Sequence, residues 1–73
     1  MNVEAVVREA LEHHVEVPED ADAPLGLSSL AVVQLTEALE EELDFVVRAD
    51  ELSPEHFSTL ARLVAFVRGK LGA

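Results

Sequence analysis

The chain has 73 residues, 49% of them hydrophobic, so we expect one small domain over residues 1–73 that depends on its own apolar core. It contains no cysteine, which excludes disulfides and zinc–thiolate sites. Fifteen acidic residues against five basic ones give a formal net charge of −10, which argues against nucleic acid and anionic membranes as partners, because both attract basic patches.

The acidity has two interpretations that composition does not separate. It suits basic protein partners, which a strong opposite charge attracts from a distance, or it only keeps the protein dissolved. Near the N-terminus, Glu4, Arg8 and Glu9 interrupt any apolar run of the kind that a signal peptide needs. No stretch approaches the roughly 18 consecutive apolar residues of a membrane span. We therefore expect a cytoplasmic protein.

The first predicted element is a helix over roughly Asn2 to His14, because apolar residues recur there at spacings of three and four. A loop from Val15 to Leu27 follows, and it carries Pro18 and Pro24. At roughly thirteen residues it is long for a compact domain, and long loops are often functional or disordered. We expect an ordered loop, because four apolar residues can pack it onto the core: Val15, Val17, Leu25 and Leu27.

A second helix is predicted from Ser29 to Leu43. Ser28 precedes it and is a favourable N-cap, because its hydroxyl can accept a hydrogen bond from a free backbone N–H of the first turn. At about 100° per residue, one narrow stripe of apolar side chains forms the predicted buried face. This stripe consists of Val32, Leu35, Leu39 and Leu43.

The segment from Asp44 to Leu52 is predicted to be a second loop. Three consecutive apolar residues in it are expected to cover the core: Phe45, Val46 and Val47. After it, a capping Ser53, Pro54 at the first helical position and an early acid predict a short third helix that ends at about Phe57.

The last predicted helix is capped by Ser58 or Thr59 and runs to about Leu71, where Gly72 is suited to stop it. Its apolar stripe consists of Leu60, Leu63, Val64, Val67 and Leu71. Together the elements predict an all-α fold, a small four-helix bundle with a long first loop and a short third helix.

A second set of residues on the second helix lies away from its predicted buried face, within about 120° of arc. The set consists of Leu30, Val33, Gln34, Glu37, Glu40, Glu41 and Asp44. Glu37–Glu41 and Glu40–Asp44 are like-charge pairs four residues apart, and the helix dipole disfavours acids in this C-terminal half. Such conflicts with local stability tend to mark functional sites. We predict a partner-docking surface here; a solvated face without a partner is the alternative.

Other residues that could carry chemistry give weak signals. His13 and His14 are adjacent and point about 100° apart on a helix, so they do not readily share a metal ion. The spacing of His56 from Ser53 follows from the helix cap, and no histidine lies near the two serines at 28 and 29 in the sequence. A domain this small also has little room for a catalytic cleft. We expect neither an enzyme nor a metal site.

Three segments of the chain resemble the acyl carrier protein family. They are Leu25-Gly26-Leu27-Ser28-Ser29-Leu30, Val33-Gln34-Leu35 and Leu39-Glu40-Glu41-Glu42-Leu43. The family pattern reads Leu-Gly-x-Asp-Ser-Leu, then Val-Glu-Leu, then Leu-Glu-Glu with a large apolar residue. The later Phe57-Ser58-Thr59-Leu60 is similar to the family's entry into its final helix, so the resemblance extends over nearly the whole chain.

The resemblance implies the same four-helix fold and a carrier function. In the family, a 4′-phosphopantetheine arm is esterified to the serine of Asp-Ser-Leu, and its terminal thiol holds an acyl or aminoacyl group as a thioester. By position, this serine is Ser29. The resemblance also implies that the protein is a monomer. Its implied partners are a phosphopantetheinyl transferase and the enzymes that load and process the cargo, which would bind through basic docking surfaces. The implied docking residues are Leu30, Val33, Gln34, Glu37, Glu40 and Glu41.

Two positions depart from the family pattern. Ser28 stands where the family has Asp, which keeps a helix cap but removes a charge that the transferase is expected to recognise. Gln34 stands where the family has Glu. Both departures favour a dedicated biosynthetic pathway over general fatty-acid synthesis. The alternative function is a helical interaction module of the same fold that never receives the arm.

Overall fold

The computed structural model describes residues 2–72. Three α-helices make up most of it, and two short 3-10 turns lie between the second and third helices. The α-helices are α1 (Val3–Glu12), α2 (Ser29–Leu43) and α3 (Leu60–Lys70), and the 3-10 turns are Ala49–Glu51 and Pro54–Phe57. No strand occurs among these residues, which confirms the all-α prediction.

Each α-helix begins at a side chain that caps it. Asn2, Ser28 and Thr59 each accept a hydrogen bond from the backbone N–H three residues further on, at 3.1 Å. The cap of the last helix is therefore Thr59, whereas the Ser58 hydroxyl donates to the Glu55 carbonyl at 2.9 Å. The first helix ends at Glu12, two residues before the predicted His14.

The core lies where the apolar stripes of the three helices meet. Its buried members are Val7, Leu11, Leu25, Leu35, Leu39, Leu43, Phe57, Leu60, Leu63, Val64 and Val67. The predicted stripe of α2 is wrong at one position, because Val32 is only partly buried and Thr36 lies inside instead. The Thr36 hydroxyl donates to the Val32 carbonyl at 2.8 Å, which satisfies its polar atom within the core.

The first loop is ordered against the start of α3, as predicted. Leu25 is buried, and its N–H donates to the Ser58 carbonyl at 2.9 Å. The Ala61 N–H donates to the Ala21 carbonyl at 3.0 Å, which joins the loop to the first turn of α3. Gly26 then has a φ of +66°, which a residue with a Cβ rarely adopts, and this turn leads the chain into α2.

The second loop corrects two predictions. Phe45 and Val47 are partly buried, but Val46 between them is 72% exposed, an alternation in which neighbouring side chains lie on opposite sides of the chain. The segment also contains the 3-10 turn Ala49–Glu51, where an unbroken loop was predicted. The predicted third helix forms as the 3-10 turn Pro54–Phe57, and the Ser53 hydroxyl caps it by accepting the Glu55 N–H at 3.3 Å.

Within residues 2–72, none of the helices combines the length and the apolar character that crossing a bilayer requires.

Candidate functional site

Two neighbouring serines at the start of α2 have different environments. The Ser28 hydroxyl accepts the Ala31 N–H at 3.1 Å and caps the helix, as predicted. Ser29 is the first residue of α2 and is exposed. Among residues 2–72, none of the side-chain hydrogen bonds involves the Ser29 hydroxyl, so its oxygen is accessible to another molecule.

The end of α2 that carries Ser29 also favours negative charge. The Val32 N–H donates to the Ser28 carbonyl at 3.0 Å and forms the first backbone hydrogen bond of the helix. The backbone N–H groups of residues 29–31, which precede it, have no backbone carbonyl to bond within the helix and point out of its end. The first turn of α2 has no acidic residue. A phosphate ester at Ser29 would therefore lie next to the positive end of the helix dipole without a competing carboxylate.

An open groove of about 480 Å³ lies beside Ser29, which forms part of its lining. The end of the first loop, the first turns of α2 and the segment around the second 3-10 turn enclose it. Leu27, Val32, Leu52 and Phe57 supply apolar walls, and no charged side chain is among the lining residues. The groove can therefore hold an uncharged or apolar group attached near Ser29.

Five of the six predicted docking residues are exposed on one face of α2. Leu30 is 66% exposed and Val33 44% exposed, which is high for large apolar side chains. Gln34, Glu37 and Glu41 are exposed beside them. The ion pairs found among residues 2–72 involve none of these acids, so their charges are available to a basic partner.

Glu40 differs from the other five residues, and the prediction that it is exposed is wrong. It is half-buried, and its carboxylate accepts the Val47 N–H at 2.7 Å. Its backbone carbonyl accepts the Phe45 N–H at 3.4 Å. Glu40 thus holds the chain on both sides of the exposed Val46. Hydrophobic spacing and capping signals do not predict this contact, because it joins a helix to a loop seven residues away.

A half-buried ion pair connects the first 3-10 turn to α3. Lys70 Nζ donates to both carboxylate oxygens of Glu51, at 2.8 and 3.0 Å. The Arg48 backbone N–H also donates to Glu51, at 3.0 Å. The hydrogen bond from Lys70 lowers the pKa of Glu51 below its usual value, the bond from Arg48 lowers it further, and desolvation opposes both effects.

His56 packs against an aromatic ring of α3. His56 stacks on Phe66, with ring centroids 4.5 Å apart and the planes inclined by 18°. Across residues 2–72, no group of three or more His, Cys, Asp or Glu side chains is placed to hold a metal ion.

Comparison with known proteins adds two findings. The family described as "Phosphopantetheine attachment site" matches residues 3–67. The chain is also similar to "Aminoacyl carrier protein 2" from Bradyrhizobium diazoefficiens, with 31% identity over 56 residues. That match covers 77% of this chain and 63% of the relative, so the chain spans less than two thirds of the relative's length.

Proposed function

The chain belongs to the phosphopantetheine attachment family, whose members are carriers rather than enzymes, and we propose that Ser29 is the residue that bears the arm. The observation that carries this proposal is the difference between the two serines. Both serines are exposed, but the Ser28 hydroxyl is engaged in capping α2, whereas the Ser29 hydroxyl makes none of the described side-chain hydrogen bonds and Ser29 lines the groove. The positive end of the α2 dipole also suits the phosphate of the arm.

The attachment reaction requires an accessible hydroxyl and a donor, which is coenzyme A. The Ser29 oxygen forms a bond to the phosphorus that carries the pantetheine group. The phosphoanhydride bond of coenzyme A breaks, and adenosine 3′,5′-bisphosphate leaves. The hydroxyl proton passes to a base on the transferase, since none of the described hydrogen bonds of the chain places a base at Ser29.

We propose that the loaded arm holds an acyl or aminoacyl group as a thioester, for a dedicated biosynthetic pathway in the cytoplasm. The similarity to a protein named as an aminoacyl carrier supports the aminoacyl class. The groove favours the acyl class instead, because its lining contains no charged side chain and an aminoacyl group carries a charged α-ammonium.

The exposed face of α2 is the proposed contact for the transferase and for the enzymes that load and process the cargo. Leu30 and Val33 supply apolar area close to Ser29, and Glu37 and Glu41 supply charge further along the helix. Basic partner surfaces fit this arrangement, because opposite charge accelerates encounter and apolar contact then stabilises the complex. Glu40 has a second role, since it also holds the following loop.

One observation favours an alternative in which the fold never receives the arm. Ser28 is uncharged at the position where the family has Asp, so a transferase that reads this charge would recognise the chain poorly. In that case the same α2 face would serve only to bind a protein partner.

Intact-mass measurement after co-expression with a broad-specificity phosphopantetheinyl transferase tests the proposal. We expect the wild-type chain to gain the mass of one phosphopantetheine group, Ser29→Ala to gain none, and Ser28→Ala to remain a substrate. Modification that survives Ser29→Ala but is lost in Ser28→Ala would place the arm on the neighbouring serine. An unmodified wild-type chain would favour the interaction module.

A further inference from the structure

We propose that Glu51 and Lys70 are positioning residues for the groove beside Ser29, because their ion pair fixes Leu52, one of the groove walls. This inference rests on the proposed function only for the identity of the molecule that occupies the groove. The wall itself is a property of the unmodified protein.

The ion pair joins two segments that are 19 residues apart in sequence. The side chains of Lys70 and Glu51 are 23% and 27% exposed, so water screens the pair only in part. Lys70 is the last residue of α3, and Glu51 is the last residue of the first 3-10 turn. Because Nζ reaches both carboxylate oxygens, the contact restricts the orientation of Glu51 as well as its position.

Few other polar contacts hold the first 3-10 turn. None of its three residues is buried. Its other hydrogen bonds are local, such as Glu51 N–H to the Arg48 carbonyl at 2.9 Å and Leu52 N–H to the Ala49 carbonyl at 3.2 Å. Within residues 2–72, the hydrogen bonds from Lys70 are the only ones that connect this turn to a helix. The ion pair is therefore the principal polar attachment of the turn to the rest of the fold.

Leu52 connects the ion pair to the groove, because it is bonded to Glu51 and lines the groove. It follows Glu51 directly, closes the turn through its N–H, and lines the groove together with Pro54 and Phe57. The opposite walls have stronger support, since Val32 and Val33 lie on α2 and the first loop is bonded to the start of α3. Leu52 is itself partly buried against the core, so the position of this wall depends on that apolar contact together with the ion pair of the preceding residue, Glu51.

Removal of the ion pair should loosen this wall without unfolding the helices. A bound apolar molecule would then have to order Leu52 as it binds, which weakens binding through lost conformational entropy. The effect should appear at the Leu52 wall and not on the α2 side of the groove, where Val32 and Val33 are held by the helix.

The test uses unmodified Ser29→Ala protein, so that its outcome is independent of whether Ser29 bears the arm. Two properties are measured: methyl relaxation of Leu52 by NMR, and the affinity for N-phenyl-1-naphthylamine, a neutral apolar dye. Lys70→Met removes the charge and keeps the aliphatic stem. Arg68→Met is the matched control, because it removes the same charge from the same end of α3 and the ion pairs among residues 2–72 do not involve Arg68.

We expect Lys70→Met to increase the mobility of the Leu52 methyl groups and to weaken dye binding by about threefold or more, within the range of measured couplings through side-chain contacts. Lys70→Arg should restore both properties, and Arg68→Met should leave them unchanged. Glu51→Gln carries the same expectation as Lys70→Met and replaces it if that variant does not fold. Equal mobility and dye affinity in Lys70→Met, Arg68→Met and the parent protein would overturn the proposal.

Discussion

At the scale of single residues, two adjacent serines differ in hydrogen bonding because of their positions relative to the start of one helix. The Ser28 oxygen accepts a backbone N–H, and the Ser29 oxygen, one residue later, is left to solvent. The sequence could predict this difference, because capping is a local interaction that depends on where the helix starts. It could not predict the groove beside Ser29, whose walls come from three separate parts of the chain.

The residue at position 28 should control the rate of modification. Ser28→Asp should speed transfer from coenzyme A by a general-purpose transferase, because it adds the charge that the family pattern has there. Asp caps a helix as well as Ser does, so thermal stability should stay the same. The rate is followed as loss of the unmodified mass over time. An unchanged or slower rate would show that Ser28 does not limit recognition.

At the scale of elements, helix positions followed from periodicity, but contacts between elements did not. The starts of α2 and α3 were predicted from capping residues, which act within one turn. The contact of Glu40 with Val47 and that of Glu51 with Lys70 depend on how loops return to helices, which hydrophobic spacing does not encode. Val46 shows the same limit, because hydrophobicity alone did not reveal which of three apolar neighbours faces solvent.

Glu40 and Glu41 should have opposite effects on stability although they are adjacent. Glu40→Ala removes the acceptor for the Val47 N–H. Because a hydrogen bond to a charged group contributes about 1.5–3 kcal/mol, we expect the substitution to lower the free energy of unfolding by about 1–2 kcal/mol. Glu41→Ala removes the repulsion between Glu41 and Glu37 and the unfavourable interaction of Glu41 with the helix dipole. We expect it to raise the free energy of unfolding by about 0.3–1 kcal/mol. Urea denaturation measures both. Equal effects of the two substitutions would show that Glu40 has no special role in the second loop.

The ion pair of Glu51 should make stability depend on pH in one direction. The folded-state pKa of Glu51 is lowered from the ordinary value of 4.5, so its contribution is present above 4.5 and is lost as pH falls through the lowered value. Lys70 from α3 and Arg48 at the start of the turn are the groups that face it, and Asp50 pairs with Arg48 at 3.1 Å.

We therefore expect Lys70→Met to be less stable than the wild-type protein at neutral pH, with a difference that shrinks as pH falls below 4.5. Urea midpoints of the two proteins across this range measure it, and Arg68→Met serves as the control for loss of charge. A difference that stays constant down to acid pH would mean that the contact is not an ion pair in solution.

At the scale of the whole molecule, we expect the net charge to influence association with other proteins more than it influences the fold. A net charge of −10 on a chain of 73 residues creates a field that attracts basic surfaces from several ångströms away. The five basic residues leave most of this charge unbalanced, and the exposed acids of α2 place part of it along the face that starts at Ser29. Composition left open whether this charge attracts basic partners or only keeps the protein dissolved, and it did not indicate which face of the molecule carries the charge.

Glu37 and Glu41 should therefore steer association. Replacing both with Gln should lower kcat/KM for modification by a basic transferase at low ionic strength, and the difference should largely vanish at high salt, where charges are screened within about 3–10 Å. Glu9 and Glu12, exposed on α1, provide the matched control pair, which removes the same charge from another helix. Equal loss of rate in both double variants would indicate an effect of net charge and not of the α2 face.

Fragment-ion mapping of the modified protein tests the central claim most directly, because it assigns the added group to one of two adjacent residues. After co-expression with a broad-specificity transferase, the peptide that contains Gly26 to Leu30 should carry the phosphopantetheine group on Ser29, with Ser28 unmodified. A phosphopantetheine group on Ser28, or on any residue outside this peptide, would contradict the account.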